Sequence, residues 1–312
     1  MSSTSADTKA ASTPEQSGRL LRAASRLSVL VAVVLITVKA YVWFRTGSVA
    51  MLSSLVDSLM DAGASVLNLI AIRHALTPAD AEHRFGHGKA EALAGLGQSA
   101  FIAGSAGFLV FEASKRLMQP VPIEHGMLGI LVMVISIALT LGLVLFQRYV
   151  IRRTGSLAVS ADSLHYAGDL LTNLAVIVAF VLATQFALPI ADPLLALAIA
   201  AYILYSAWQI LRDAYDHLMD RELPDDVREN IRRVVLTHPE VRSLHDLRTR
   251  ASGAGVFIQL HLEMDGDISL VDAHRIADQV ESSLRAVYPG AEIIVHQDPA
   301  GIDERRPEFA GR

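Results

Sequence analysis

Residues 54–63, SLVDSLMDAG, place Asp57 and Asp61 four positions apart in a stretch that is otherwise apolar. SVAMLSSLV runs into it and GASVLNLIAI runs out of it. An i, i+4 pair lies on one face of a helix. A carboxylate at the centre of a bilayer costs roughly 2.5–3.5 kcal/mol. A spanning helix with two such groups must therefore turn that face toward protein, water or a cation. The stretch thus reads as a membrane helix whose carboxylates need partners elsewhere in the chain.

Working outward, apolar runs of spanning length occur at about 28–44, 48–73, 92–112, 126–147, 157–184 and 190–211. Of the 312 residues, 52% are hydrophobic and 19% charged. Lys39 falls near the far end of the first run, where its stem is expected to snorkel to the interface. Ser99, Ala103 and Gly107 in the third run follow a small-xxx-small spacing that lets a neighbouring helix come close. Arg19, Arg22, Arg26, Arg73, Arg84, Lys89, Arg148, Arg152, Arg153, Arg212 and Arg221 crowd one side of the bilayer. That bias predicts both termini inside. Residues 1–25 are polar and lack the apolar core of a secretory leader, so a disordered cytosolic tail is expected there, with a second one over 301–312. The membrane domain is then expected over 26–213 and a soluble domain over 214–300.

From about residue 222 the pattern becomes that of a soluble unit. LPDDVRENIRRVVLTHP opens a helix with Pro224 and two aspartates in its first turn. VRSLHDLRTR and AGVFIQLHLEM read as strands, LVDAHRIADQVESSLRAVY as an amphipathic helix, and AEIIVHQ as a last strand. The predicted fold class is therefore an α-helical membrane protein of six transmembrane helices followed by a small α+β domain of order αββαβ.

The chemistry-bearing residues fall in three groups. The fifth run holds DSLHYAGDLLTN, in which His165 and Asp169 repeat the i, i+4 spacing of Asp57 and Asp61. Two such helical pairs facing each other supply three carboxylates and one imidazole, a donor set suited to a tetrahedral divalent cation with zinc foremost. Asp162 reads as an entrance charge or a charge at the N-terminal, cytosolic end of that helix, and Asn68 and Asn173 as groups that hydrogen-bond between helices or support the ligands. The loop PADAEHRFGHGKAE offers Asp80, His83 and His87, with glycines that let the backbone fold round an ion. The C-terminal part offers His245, His261, His274, His296, Gln297 and Asp298. Strand parity puts His261 opposite Ile258, Leu260 and Leu262, off the apolar face. The chain has no cysteine, so disulfides and thiolate ligands are excluded. The net charge is −5 and there is no basic stripe, which argues against nucleic acid. A metal hydrolase is disfavoured because no His-Glu-x-x-His helix occurs. A membrane-anchored metal sensor would leave the three aspartates and the histidine of the helices without a purpose.

Taken together, LVDSLMD, FGHGKAEAL, HYAGD, HDLRTR, IQLHLEM and HQDP resemble the cation diffusion facilitator family over about residues 25 to 300. The resemblance implies a ferredoxin-like C-terminal domain and a homodimer in a bacterial inner membrane. It implies proton-coupled export of Zn2+, with Cd2+ and Fe2+ as further ions and protons as the counter-ion. Asp57, Asp61, His165 and Asp169 would form the transport site, and Asp80, His83 and His87 a loop site. His245, His261, His274, His296, Gln297 and Asp298 would build a cytosolic site at the dimer interface. It further implies a charge lock between subunits, for which Lys89 and Asp220 are the candidates.

Overall fold

The computed structural model describes residues 14–47, 49–118, 127–186, 191–253 and 255–302. Six long helices come first: α1 Pro14–Thr46, α2 Val49–Ala75, α3 Lys89–Met118, α4 Met127–Thr154, α5 Leu157–Phe186 and α6 Ala191–Leu218. Then follow α7 Asp225–Leu236, β1 Ser243–Ser252, β2 Gly255–Met264, α8 Leu270–Val287 and β3 Glu292–Pro299. The chain divides into two compact units, Met1–Tyr215 and Asp216–Arg312.

In the first unit α1, α2, α3, α4 and α6 are long and apolar enough to cross a membrane. The sixth, α5, has 30 residues and carries Asp162, His165 and Asp169. It packs against α3 and α4 and also touches α2, while α1 packs on α2 and α4. The helices run past the apolar runs that announced them. Residues 14–25, expected as part of a tail, are the first three turns of α1. Ser17, Leu21, Ala24 and Ser28 fall at helical spacing and are buried, with Leu21 and Ala24 packed against Ile72, Val150 and Ala158. An apolar-run criterion sees only what lipid covers, whereas this stretch is amphipathic and packs on protein. The rest of the expected tails, residues 1–13 and 303–312, lies outside the described residues.

The small-residue stripe of α3 is also rotated from its expected position. Ser99, Ile102 and Ala106 are buried, and Gly107 faces open space. Ile102 and Ala106 meet Ile203 and Ala207 of α6.

The C-terminal unit has the predicted order αββαβ. β1 and β2 pair antiparallel, β3 joins β2 in parallel, and the sheet order is β1-β2-β3. A parallel neighbour needs a crossover, and α8 supplies it. Ser269 caps α8 by accepting a hydrogen bond from the Asp272 N–H. Ile258, Leu260 and Leu262 of β2 pack with Ile231, Val235, Ile276, Val280, Leu284 and Ile293 into one core. Both helices thus contribute to the core on one face of the sheet. The alternate residues of each strand fall on the opposite face, and that face carries the histidines.

Candidate functional site

Along α2, Ser54, Ser58, Asp61, Ser65 and Asn68 follow the i, i+4, i+7, i+11, i+14 spacing of a single stripe. Each member has a definite setting. Asp61 meets α5: its Oδ1 lies 3.0 Å from His165 Nε2, and Asp169 Oδ2 lies 3.8 Å from the same nitrogen. One ligand atom each from Asp61, His165 and Asp169 lies within 4.8 Å of the others. Asp57, the fourth expected member, lines the same cavity of about 580 Å3 but stands outside this tight trio. The sequence pairs are therefore brought together on facing helices, with Asp57 at the cavity wall. Gly168, next to Asp169, keeps this region tight: a Cβ there would lie 3.0 Å from Ile203 Cδ1 of α6.

Around the trio the buried polar groups are ordered. Tyr166 Oη donates to the Ser28 carbonyl at 3.3 Å and lies 2.8 Å from Ser65 Oγ. Neither side-chain polar atom of the buried Asn68 has a hydrogen-bond partner among the described residues, contrary to the inter-helix bond expected of it.

Asp162 differs from its expected role as an end charge. It is 1% exposed and accepts from Ser28 Oγ at 2.6 Å, Gln147 Nε2 at 2.7 Å and Gln98 Nε2 at 3.2 Å. This one carboxylate ties α1, α3 and α4 to α5. Removing one partner of such a network leaves the others buried and unsatisfied. Asp162→Ala is thus expected to cost roughly 2–4 kcal/mol and to lower the unfolding temperature of the purified protein in detergent, with Asp162→Asn costing less. An unchanged midpoint in the alanine variant would remove the hub role.

Lys39 also departs from expectation. Its side chain is held by α2: Nζ donates to Ser58 Oγ at 2.7 Å and to the Ser54 carbonyl at 3.2 Å.

The loop group is gathered as its spacing predicts. Asp80 Oδ1 lies 3.3 Å from His83 Nδ1, and Asp80 Oδ2 lies 3.4 Å from His87 Nε2. Gly86 adopts φ +76°, a left-handed conformation that glycine takes without strain, in the turn that carries His87 back. Asp80 Oδ1 accepts from the backbone N–H groups of His83 and Glu82. The His83 N–H above all, then the Glu82 N–H and the two imidazoles, hold its carboxyl below the usual range against some desolvation. His74 at the end of α2 lies beside His87, with ring centroids 4.6 Å apart and the rings tilted by 59°, and was not singled out by spacing because it belongs to a different element.

On the open sheet face, register does the assembling. His245 pairs with His261, and His261 with His296, so three strands put three imidazoles in one row. Their adjacent ring centroids are 5.0 and 4.5 Å apart. Asp298 lies among them: Oδ2 is 2.8 Å from His261 Nδ1 and 3.3 Å from His245 Nε2, and Oδ1 is 3.0 Å from His296 Nε2. The tight set of this group is His245, His261 and Asp298. Two acids that sequence reasoning missed complete the surroundings. Glu263 Oε1 is 3.1 Å from His245 Nδ1, and Asp246 Oδ2 is 3.8 Å from His261 Nε2. Alternation should send Asp246 to the other face from His245. A register shift between His245 and Arg248, with Asp246 at φ +45°, turns it back. Arg248 grips Asp246 with two hydrogen bonds of 3.0 and 2.9 Å, and these above all hold its carboxyl below the ordinary carboxylate range.

Other expected members lie elsewhere. His274 is exposed on α8, 3.5 Å from Asp278, and is not in this group within the chain. Gln297 pairs in register with Leu262 and alternates with His296 and Asp298, so it falls on the core side of β3. Lys89 opens α3. In the other unit Asp220 pairs with Arg250 at 3.3 Å.

Both units of the chain resemble known proteins. A family model described as the cation efflux transmembrane domain matches residues 25–219, and one described as the cation efflux protein cytoplasmic domain matches 223–300. A cation-efflux pump FieF of Cronobacter sakazakii is 49% identical over 288 residues, covering 92% of this chain and 96% of that one. The pump of the same name from Shewanella oneidensis is 48% identical over 283 residues, covering 91% and 95%. Among solved structures, the metal-bound C-terminal domain of the CzcD transporter from Thermotoga maritima is 28% identical. It covers 25% of this chain and 93% of that one at a TM-score of 0.25.

Proposed function

This chain belongs to the cation efflux, or cation diffusion facilitator, family, and from that premise we propose that it is a Zn2+/H+ antiporter that moves cytosolic metal outward. Cation efflux is the activity its relatives' name carries. The observation that supports the finer reading is the meeting of Asp61, His165 and Asp169 from two facing helices, with Asp57 on the wall of the same cavity. Carboxylate and imidazole atoms that bind a cation also bind protons, so the two compete for the same lone pairs. Alternating exposure of the trio to the two sides of the membrane converts that competition into exchange. Zinc and cadmium suit one nitrogen with three oxygens, and ferrous iron is the further ion of this reading.

Asp80, His83 and His87 bind metal at the loop. His245, His261, His296 and Asp298 bind it on the sheet face, with Asp246 and Glu263 beside them. The C-terminal unit joins two copies into a homodimer, to which the exposed His274 contributes across the interface and in which Lys89 and Asp220 form the lock between subunits. The protein sits in the bacterial inner membrane with both termini in the cytoplasm. The test is metal uptake into proteoliposomes under an imposed pH gradient, across zinc, cadmium, ferrous iron and manganese. Zinc uptake that follows the sign of the proton gradient is expected. Uptake indifferent to the gradient would leave export without antiport.

A further inference from the structure

Lys39 is the one charged side chain of α1 between Arg26 and Arg45. A lysine near the end of a spanning helix ordinarily runs its stem toward water. This one binds Ser58 Oγ and the Ser54 carbonyl of α2. Ser58 is 2% exposed, adjoins Asp57 in sequence and sits one turn before Asp61 on the same stripe. The charge of Lys39 interacts with those of Asp61, Asp169 and Asp57. Two neutral hydrogen bonds to one ammonium do not offset its removal from water, so a charged Lys39 depends on the carboxylates of Asp61, Asp169 and Asp57.

The consequence is one of charge. Three carboxylates carry −3, and with Lys39 the site carries −2, which one dication neutralises. Without Lys39 a bound dication would leave −1, a more strongly attractive cage in which metal is held past the point of release. Efficient transport requires binding that is firm enough to load and weak enough to let go.

We propose that Lys39 is a resident counter-cation of the membrane site, fixed on Ser58 beside the aspartates so that bound metal can leave. This rests on the reading of Asp57, Asp61, His165 and Asp169 as the transport site. Lys39 touches no expected ligand and is a positioning residue of charge. It binds no metal itself.

The experiment is zinc flux through the full-length protein in proteoliposomes as a function of zinc concentration. Lys39→Met and Lys39→Gln are expected to lower KM and kcat together, each by about tenfold, as when a ground-state repulsion is removed. Lys39→Arg keeps the charge and should hold both within about threefold. Competition with a chromophoric chelator should show zinc held about tenfold more tightly by Lys39→Gln than by the unaltered protein, the loop and sheet ligands being the same in both. Should Lys39→Met fold poorly, Lys39→Gln, which can still hydrogen-bond Ser58, gives the same readout. An unchanged or raised KM in the glutamine variant overturns the proposal, as does an arginine variant that fails in the same way as glutamine. Asp61→Ala separates the two layers. If it transports normally, the reading of the site fails. If it is inactive, the Lys39 variants judge the counter-cation alone.

Discussion

Replacing Asp61 with alanine is expected to reduce metal flux by at least about 100-fold while leaving a folded protein. Asp61 makes the 3.0 Å contact with His165 and belongs to the tight trio. Its loss leaves His165 with Asp169, whose nearest oxygen is 3.8 Å away. The site then lacks one ligand and one negative charge. A hundredfold loss corresponds to about 2.7 kcal/mol, modest for a carboxylate acting on a dication in a cavity away from bulk water. Asp61→Asn separates the two contributions, because the amide keeps an oxygen at the same place and removes only the charge. If asparagine is as inactive as alanine, charge carries the effect. Asp57→Ala should be milder, since Asp57 stands outside the trio in this arrangement. Flux is measured in proteoliposomes, with size-exclusion chromatography to establish that each variant remains folded. Flux within threefold of the unaltered protein in Asp61→Ala would remove the trio from the transport path.

The legibility of this site follows from how each group is assembled. Asp57, Asp61, His165 and Asp169 were readable because helical periodicity fixes which residues share a face, and a carboxylate in an apolar run demands explanation. Asp80, His83 and His87 were readable because one short loop holds all three. The sheet group was only half readable. Parity put His261 on the open face, but the row His245–His261–His296 exists through strand register, which one sequence does not print. Asp246 was hidden by a local break in alternation, and Arg248, which pins it, sits two residues on. Lys39 and Asp162 were misread for a common reason. Each was assigned by its distance along its own helix, toward an interface, whereas its partners lie on other helices. Ser58 is 19 residues from Lys39, and Ser28 is 134 residues from Asp162. Depth in the bilayer is legible from a hydropathy profile, and azimuth is legible within one helix. Which helix stands opposite is not.

Asp298 should matter as much to the C-terminal unit as Asp61 does to the helices. Its two oxygens reach three imidazoles on three strands, and it is 4% exposed. A carboxylate so placed can offer one oxygen to each of two cations, or both to one. Neutral imidazole and ionised carboxylate are the metal-binding forms, so zinc binding releases protons and weakens as pH falls. A ligand that binds only the folded state stabilises it by RT ln(1 + [L]/Kd), about 4 kcal/mol at a thousand times Kd. The unit has its own core and is expected to fold as residues 216–312. Zinc should raise the unfolding temperature of that fragment, by more at pH 8 than at pH 6. Asp298→Ala should weaken zinc binding by at least about 100-fold and abolish the rise. Asp265→Ala, which removes an exposed carboxylate paired with Arg242, should leave the rise intact. The comparison is of the zinc-dependent shift within each variant, so any change in metal-free stability drops out. If Asp298→Ala kept the full shift, the imidazole row would hold zinc by itself or with Glu263 and Asp246, and the central carboxylate would be a partner for histidine N–H groups only.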